Sequence, residues 1–288
     1  MKLIVAQCSG LKNYLSGLKT RGAAHGLCAA LFLMISVCAA DEPPLLESPV
    51  ECLFVADYDG SEQRYLQMLP RGLAVDQPVS VMIALHGHGS DRWQFVLQSR
   101  DECRAVRDVA AANSMVFVSP DYRAKTSWMG PAAEADMLQI IGLLKQQFQL
   151  KRLILCGGSM GGTGALTFTA RHPQLIDGVV SLNGTANLQE FAGFQEAMAE
   201  SFGGSKLEAA EQYRLRSAEL FPEQFSMPLA ATTGGRDEVV PPQSVMRLLE
   251  SVARENPSVL SIHRPEGGHS TNYEDTRQAL EFVISHLQ

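Results

Sequence analysis

A chain of 288 residues with 45% hydrophobic and 19% charged residues has enough apolar material for a full buried core without metals or disulfides to staple it. Its 31 acidic residues outnumber 24 basic ones, a net charge of −7. Such a surface disfavours nucleic acid and anionic membrane as partners, and no basic stripe interrupts it.

The first forty residues stand apart. They hold Lys2, Lys12, Lys19 and Arg21 but no acid, then an apolar run from Leu27 to Val37, then Cys38, Ala39 and Ala40 ahead of the acidic "DEPP". This is the order of a secretory signal. Residues 1–40 are therefore expected to be a signal peptide, with a mature chain beginning near Asp41 and a secreted or periplasmic location. The run falls short of the roughly 20 residues needed to span a bilayer. Bulky Val37 before Cys38 argues against a lipid anchor. Without the segment 20 basic residues face 31 acids, and the net charge deepens to −11. Cys8, Cys28 and Cys38 leave with it. Of the other cysteines, Cys156 ends an apolar strand and reads as a buried free thiol, whereas Cys52 and Cys103 could form a bridge in an oxidising compartment.

Residues 51–70 read as a hairpin around an Asp59–Gly60 turn. "VSVMIAL" is a continuous apolar run, as expected of a strand covered on both faces. A helical stretch near 100–112 leads to the strand "MVFVS". From Pro131 the period changes: Met137, Ile140, Ile141, Leu144 and Phe148 share one helical face, with proline suited to the first turn. The strand "RLILC" meets the glycines of "CGGSMGGTGA", and a helical pattern runs from about Thr163 to "ARHP". "DGVVSLN" is the next strand. Residues 188–219 hold two polar-faced helical segments without strands, read as a small insertion over one edge of the sheet. "MPLAATTGG", "PPQSVMRLLESVARE", "SVLSIHRP" and "TNYEDTRQALEFVISHLQ" then alternate strand, helix, strand, helix. Such alternation predicts one α/β domain over 41–288 with a doubly wound, mostly parallel sheet.

Gly157, Gly158, Ser159, Met160 and Gly161 spell G-x-S-x-G at a strand-to-helix turn. There the serine is lifted clear of the sheet, and side chains at the flanking glycines would strike neighbouring backbone. A nucleophilic serine needs a base, and the base an orienting acid. Among the histidines, His172 and His286 read as solvated and His263 as packed or at an edge. His269, in "PEGGHST", lies on a glycine-rich loop after the last strand. Asp237, in "GGRDEVVPP", lies on the loop after the preceding strand, with Glu238 as the neighbour that could substitute. Ser159, Asp237 and His269 thus each follow a strand's carboxyl end, the edge at which open α/β sheets act. "LHGHGS" after the strand ending at Leu85 offers the backbone N–H of His88 as an oxyanion donor, with Met160 as the second. The paired histidines His86 and His88 lack a third ligand nearby in sequence, so no metal and no cofactor is expected.

Over the whole region after residue 40 the chain resembles the α/β-hydrolase superfamily. It is most similar to the branch of secreted esterases and prolyl-oligopeptidase-type catalytic domains, on "LHGHGSD", "SPDYR", "SWMGPAAEADM", "GGSMGGTGAL", "HPQLIDGVVSLNG", "GGRDEVVPP" and "EGGHS". The resemblance puts the nucleophile on Ser159, the acid on Asp237, the base on His269 and the oxyanion donors on His88 and Met160. It implies an exported serine hydrolase, in the first place a carboxylic ester hydrolase. The substrate would be a small ester, carbohydrate-linked in some members of the branch, or a short peptide. Prolyl oligopeptidases carry a propeller that gates peptide access, and this chain has no room for one, which sets the peptidase reading second. A non-catalytic binding protein on the same fold is the third. Trp93 and Trp128 could stack on a sugar or aryl group or simply pack.

Overall fold

In the computed structural model, which describes residues 45–74 and 77–287, the expected hairpin is formed by β1 (Val50–Val55) and β2 (Glu62–Met68). Residues 1–40, expected to be a signal peptide, lie outside the described residues. Six more strands follow: β3 (Val79–Leu85), β4 (Val116–Pro120), β5 (Leu150–Gly158), β6 (Gly178–Leu182), β7 (Leu229–Gly234) and β8 (Val259–Arg264). They build one sheet in the order β1–β2–β4–β3–β5–β6–β7–β8. β2 pairs antiparallel with β1 and β4, and every pairing from β4 to β8 is parallel.

The apolar runs are continuous because both faces are covered. Val81, Ile83, Leu153, Leu155 and Val179 point to one side, against α3 (Pro131–Gln147), α4 (Met160–Arg171) and α7 (Gln243–Val252). Met82, Ala84, Ile154, Cys156 and Val180 point to the other, against α1 (Gln94–Leu97), α2 (Asp101–Ala112) and α8 (Tyr273–Ser285). This is the period-2 alternation of a pleated strand with helices on both sides. α4 begins at Met160, three residues ahead of the expected start. No helix among the described residues is long and apolar enough to cross a membrane.

Two expectations need correcting. Cys103 is a free, buried thiol, so the Cys52–Cys103 bridge does not form. Burial pushes its pKa up to about 11. Cys156 is a buried free thiol as expected. The helices of the 188–219 segment, α5 (Gln195–Phe202) and α6 (Ala210–Leu215), bury Met198, Phe202 and Tyr213 in the core beside α3. His172 is not solvated: its Nε2 lies 2.8 Å from Glu134 Oε1, and its ring packs on Phe168.

Candidate active site

β5 delivers Ser159 at the carboxyl edge of the sheet with φ 57° and ψ −118°, in the left-handed half of the map that L-residues avoid. The turn closes only because its neighbours lack side chains. A Cβ on Gly157 would lie 2.5 Å from the Gly161 carbonyl oxygen, and one on Gly161 would overlap the carbonyl of Leu85. Gly158 has room, with Phe95 at 3.7 Å. The sharp turn leaves the half-buried serine hydroxyl clear of the sheet, as the glycine spacing predicts.

The loops after β7 and β8 bring the other two residues to it. His269 Nε2 stands 2.8 Å from Ser159 Oγ, and its Nδ1 stands 2.7 Å from Asp237 Oδ2. An ionised carboxylate only accepts, so Nδ1 carries the proton and Nε2 turns its lone pair to the serine hydroxyl. Asp237 is buried, and its other oxygen accepts the backbone N–H groups of Val239 at 3.0 Å and Val240 at 2.9 Å. Those two bonds fix which carboxylate of "RDE" faces the imidazole. Glu238, its neighbour, is exposed and turns away to the surface.

Gly87 backs directly onto the serine, since a Cβ there would lie 3.7 Å from Ser159 Cβ. The next backbone N–H is that of His88. Met160 opens α4, where a helix leaves its first N–H groups without intrahelical partners. No backbone acceptor takes either N–H among the described residues. A cavity of about 580 Å³ lies over these groups, lined by His88, Ser159 and His269 together with Asn183, Phe194 and Val239.

The two histidines of the 86–88 loop are held differently. His86 is wholly buried, with Nδ1 2.8 Å from the Gly87 carbonyl and Nε2 3.0 Å from that of Asp121, so neither nitrogen turns a lone pair to a metal. Burial lowers its pKa. His88 accepts the indole N–H of Trp128 on Nδ1 at 3.2 Å, and burial lowers its pKa as well. Among the described residues no group of three His, Cys, Asp or Glu side chains could hold a metal ion.

Several supports of the site carry no motif. Gln94 accepts the Gly87 N–H at 2.9 Å and so shapes the 86–88 loop from α1. Tyr122 donates its hydroxyl to the His86 carbonyl at 2.5 Å. Asn183, with φ 51°, donates to Asp237 Oδ2 and to the Gly268 carbonyl, both at 3.4 Å, and accepts from Thr271. Of these only Asn183 left a trace in the sequence: an Asn-Gly pair after a strand favours the left-handed conformation it adopts. Trp128 is buried behind His88, while Trp93 sits half-buried under the guanidinium of Arg92.

Solved structures share this architecture at low identity. The fluorophosphonate-binding serine hydrolase FphF of Staphylococcus aureus matches with a TM-score of 0.62 and 17% identity, over 86% of this chain and 100% of its own. The esterase Pf2001 of Pyrococcus furiosus matches with 0.61 and 17%, over 84% and 93%. The acylaminoacyl peptidase of Pyrococcus horikoshii gives 0.64 and 15%, over 84% of this chain but 42% of that one. No curated protein sequence matches the chain. The sequence profile of the prolyl oligopeptidase family, by contrast, matches residues 109–288, well over half the chain. That stretch runs from within α2 through β5, the serine turn and both later loops, so the chain belongs to the prolyl oligopeptidase family and is a serine hydrolase of the α/β-hydrolase fold.

Proposed function

We propose that the protein is an exported carboxylic ester hydrolase working through an acyl-enzyme on Ser159. The observation that carries the proposal is the unbroken chain from Ser159 Oγ to His269 at 2.8 Å and from His269 to Asp237 at 2.7 Å. Ser159 attacks the carbonyl carbon while His269 Nε2 takes the hydroxyl proton. The negative charge that develops on the carbonyl oxygen meets the N–H groups of His88 and Met160, a contribution worth about 3–4 kcal/mol per donor in comparable sites. His269 passes its proton to the departing alcohol oxygen, and water repeats the sequence to release the acid. Asp237 holds the imidazole in the tautomer that both halves need.

Family membership also favours a second reading, a serine peptidase. An amide nitrogen leaves less readily than an alcohol and demands tight subsite binding to align it for protonation. The chain spans all of FphF and 93% of the Pf2001 esterase, yet only 42% of the acylaminoacyl peptidase, which supports placing the ester first. A fluorophosphonate probe should label Ser159, and the purified protein should hydrolyse small alkyl and aryl esters faster than proline-containing peptides. Ser159→Ala should lose both labelling and several orders of magnitude in kcat. Peptide cleavage with negligible ester hydrolysis would reverse the ranking, and a label mapped to another serine would remove the assignment.

A further inference from the structure

One wall of the cavity over Ser159 is aromatic and two layers deep. His88 and Phe194 line the cavity with ring centroids 4.3 Å apart. Behind them the fully buried Trp128 lies 5.2 Å from Phe194, 5.4 Å from Phe191 and 6.0 Å from His88. The other lining side chains are mostly small or polar, and Phe194 is the one phenyl ring among them.

The wall is held at a cost to the backbone. Phe194 sits at φ 51°, Trp128 at φ 45° and Met129 at φ 57°, all in the region that favours glycine, and none is a glycine. Strain of this kind persists only where the surroundings over-determine it, and it concentrates at ligand clamps. The surroundings here are specific. Ser201 of the insertion donates to the Ser127 carbonyl, and the guanidinium of Arg216 donates to that of Met129 at 2.7 Å. The inserted segment is thereby fastened to the 127–130 turn, and the rings are in place before any ligand arrives. A rigid, preformed face loses little freedom on binding.

His88 is fixed in the same way. An indole N–H only donates, so Nδ1 of His88 accepts and the proton rests on Nε2. That N–H has no acceptor among the described residues and is free for a polar substituent on a ligand.

Building on the ester-hydrolase reading, we propose that the Phe194–His88 wall selects a planar aryl group on the acyl side of the ester. Offset or edge-on ring contacts with Phe194 need a flat π-face, which a saturated ring of equal size lacks. The acyl side follows from the division of labour around Ser159. His269 serves the leaving oxygen, whereas the wall includes His88 itself, whose backbone N–H is the oxyanion donor, with Phe194 of the insertion packed against its ring at 4.3 Å.

The test compares kcat/KM for methyl 3-phenylpropanoate and methyl 3-cyclohexylpropanoate, which share a leaving group and nearly the same carbonyl reactivity. The wild-type protein should favour the phenyl ester about fivefold, chiefly through KM. Phe194→Ala should bring that ratio close to one, and Phe194→Tyr should retain it. The ratio within one preparation does not depend on how much of a variant has folded. Equal rates for the two esters in the wild type, or a ratio unchanged in Phe194→Ala, would overturn the proposal. So would a preference found only in the leaving group, for benzyl over cyclohexylmethyl butanoate, whose two alcohols leave about equally well. Fluorophosphonate labelling of the wild type separates the two levels: no labelling removes the hydrolase mechanism itself, whereas labelling without phenyl preference removes only the aromatic wall.

Discussion

Ser159 keeps a backbone conformation that costs an L-residue about 1–3 kcal/mol, and the glycines around it are what make the conformation affordable. Asp237 and Glu238 show how finely the neighbouring carboxylates are told apart. Two backbone N–H groups and the imidazole surround Asp237, while Glu238 faces outward. Asp237→Asn should lower kcat of ester hydrolysis by about 10⁴-fold, since an amide can present its N–H to Nδ1 and favour the wrong tautomer. Glu238→Gln should stay within twofold, and equal losses in the two variants would exclude the assignment. Ser159, Asp237 and His269 were legible in the sequence because each combines a reactive side chain with glycine-rich turn chemistry after an apolar strand. Gln94, Tyr122 and Trp128 were not. They act through contacts between elements distant in the chain, and a glutamine or tyrosine in a helix or loop has no local signature of such a role.

At the scale of elements, the strands and helices followed directly from apolar periodicity, and the hairpin from its Asp59–Gly60 turn. The insertion did not. Its helices carry polar outer faces, and the few apolar residues that dock them, Met198, Phe202 and Tyr213, define no direction until α3 is in place. A buried ionic cluster fastens the joint. Glu134 on α3 accepts from Arg171 at 2.6 Å on one oxygen and from Arg216 at 2.6 Å on the other, and His172 lies 2.8 Å away. Burial alone would raise the Glu134 pKa. The hydrogen bonds of His172 and Arg171 and the charge of Arg216 outweigh it and hold the carboxyl below its ordinary value. Burial in turn lowers Arg216 to about 10, still protonated at neutral pH. Because the unfolded chain binds the Glu134 proton more readily, this contribution to stability is complete above the ordinary glutamate pKa of about 4.3 and fades as pH falls through the lower folded value. Glu134→Gln should cost about 3–5 kcal/mol near pH 7, because it leaves Arg216 buried without its counter-charge. The variant should also lose less stability than the wild type on acidification. Parallel denaturant titrations at neutral and acid pH read both effects, and equal acid sensitivity of the two proteins would count against the cluster.

For the whole molecule, the export proposed above rests on residues 1–40 being a signal peptide. An acidic protein of pI about 5.5, more acidic still without residues 1–40, suits an open aqueous compartment rather than a polyanion surface. N-terminal sequencing of protein recovered from the medium or periplasm should give a start near Asp41, and full-length chain retained in the cytosol would refute export. The parallel sheet that positions the site has a further consequence. Ser159 and His269 are 110 residues apart in sequence, and the imidazole hangs from the loop that follows β8, the outermost strand of the parallel side. Among the described residues β8 pairs only with β7, so the imidazole is held beside the serine only when that strand is docked. A nascent or truncated chain lacking β8 would therefore hold a formed serine turn with no base beside it. The proposed hydrolysis thus depends on the carboxyl-terminal strand being in place, and a copy lacking it would have a serine without its base.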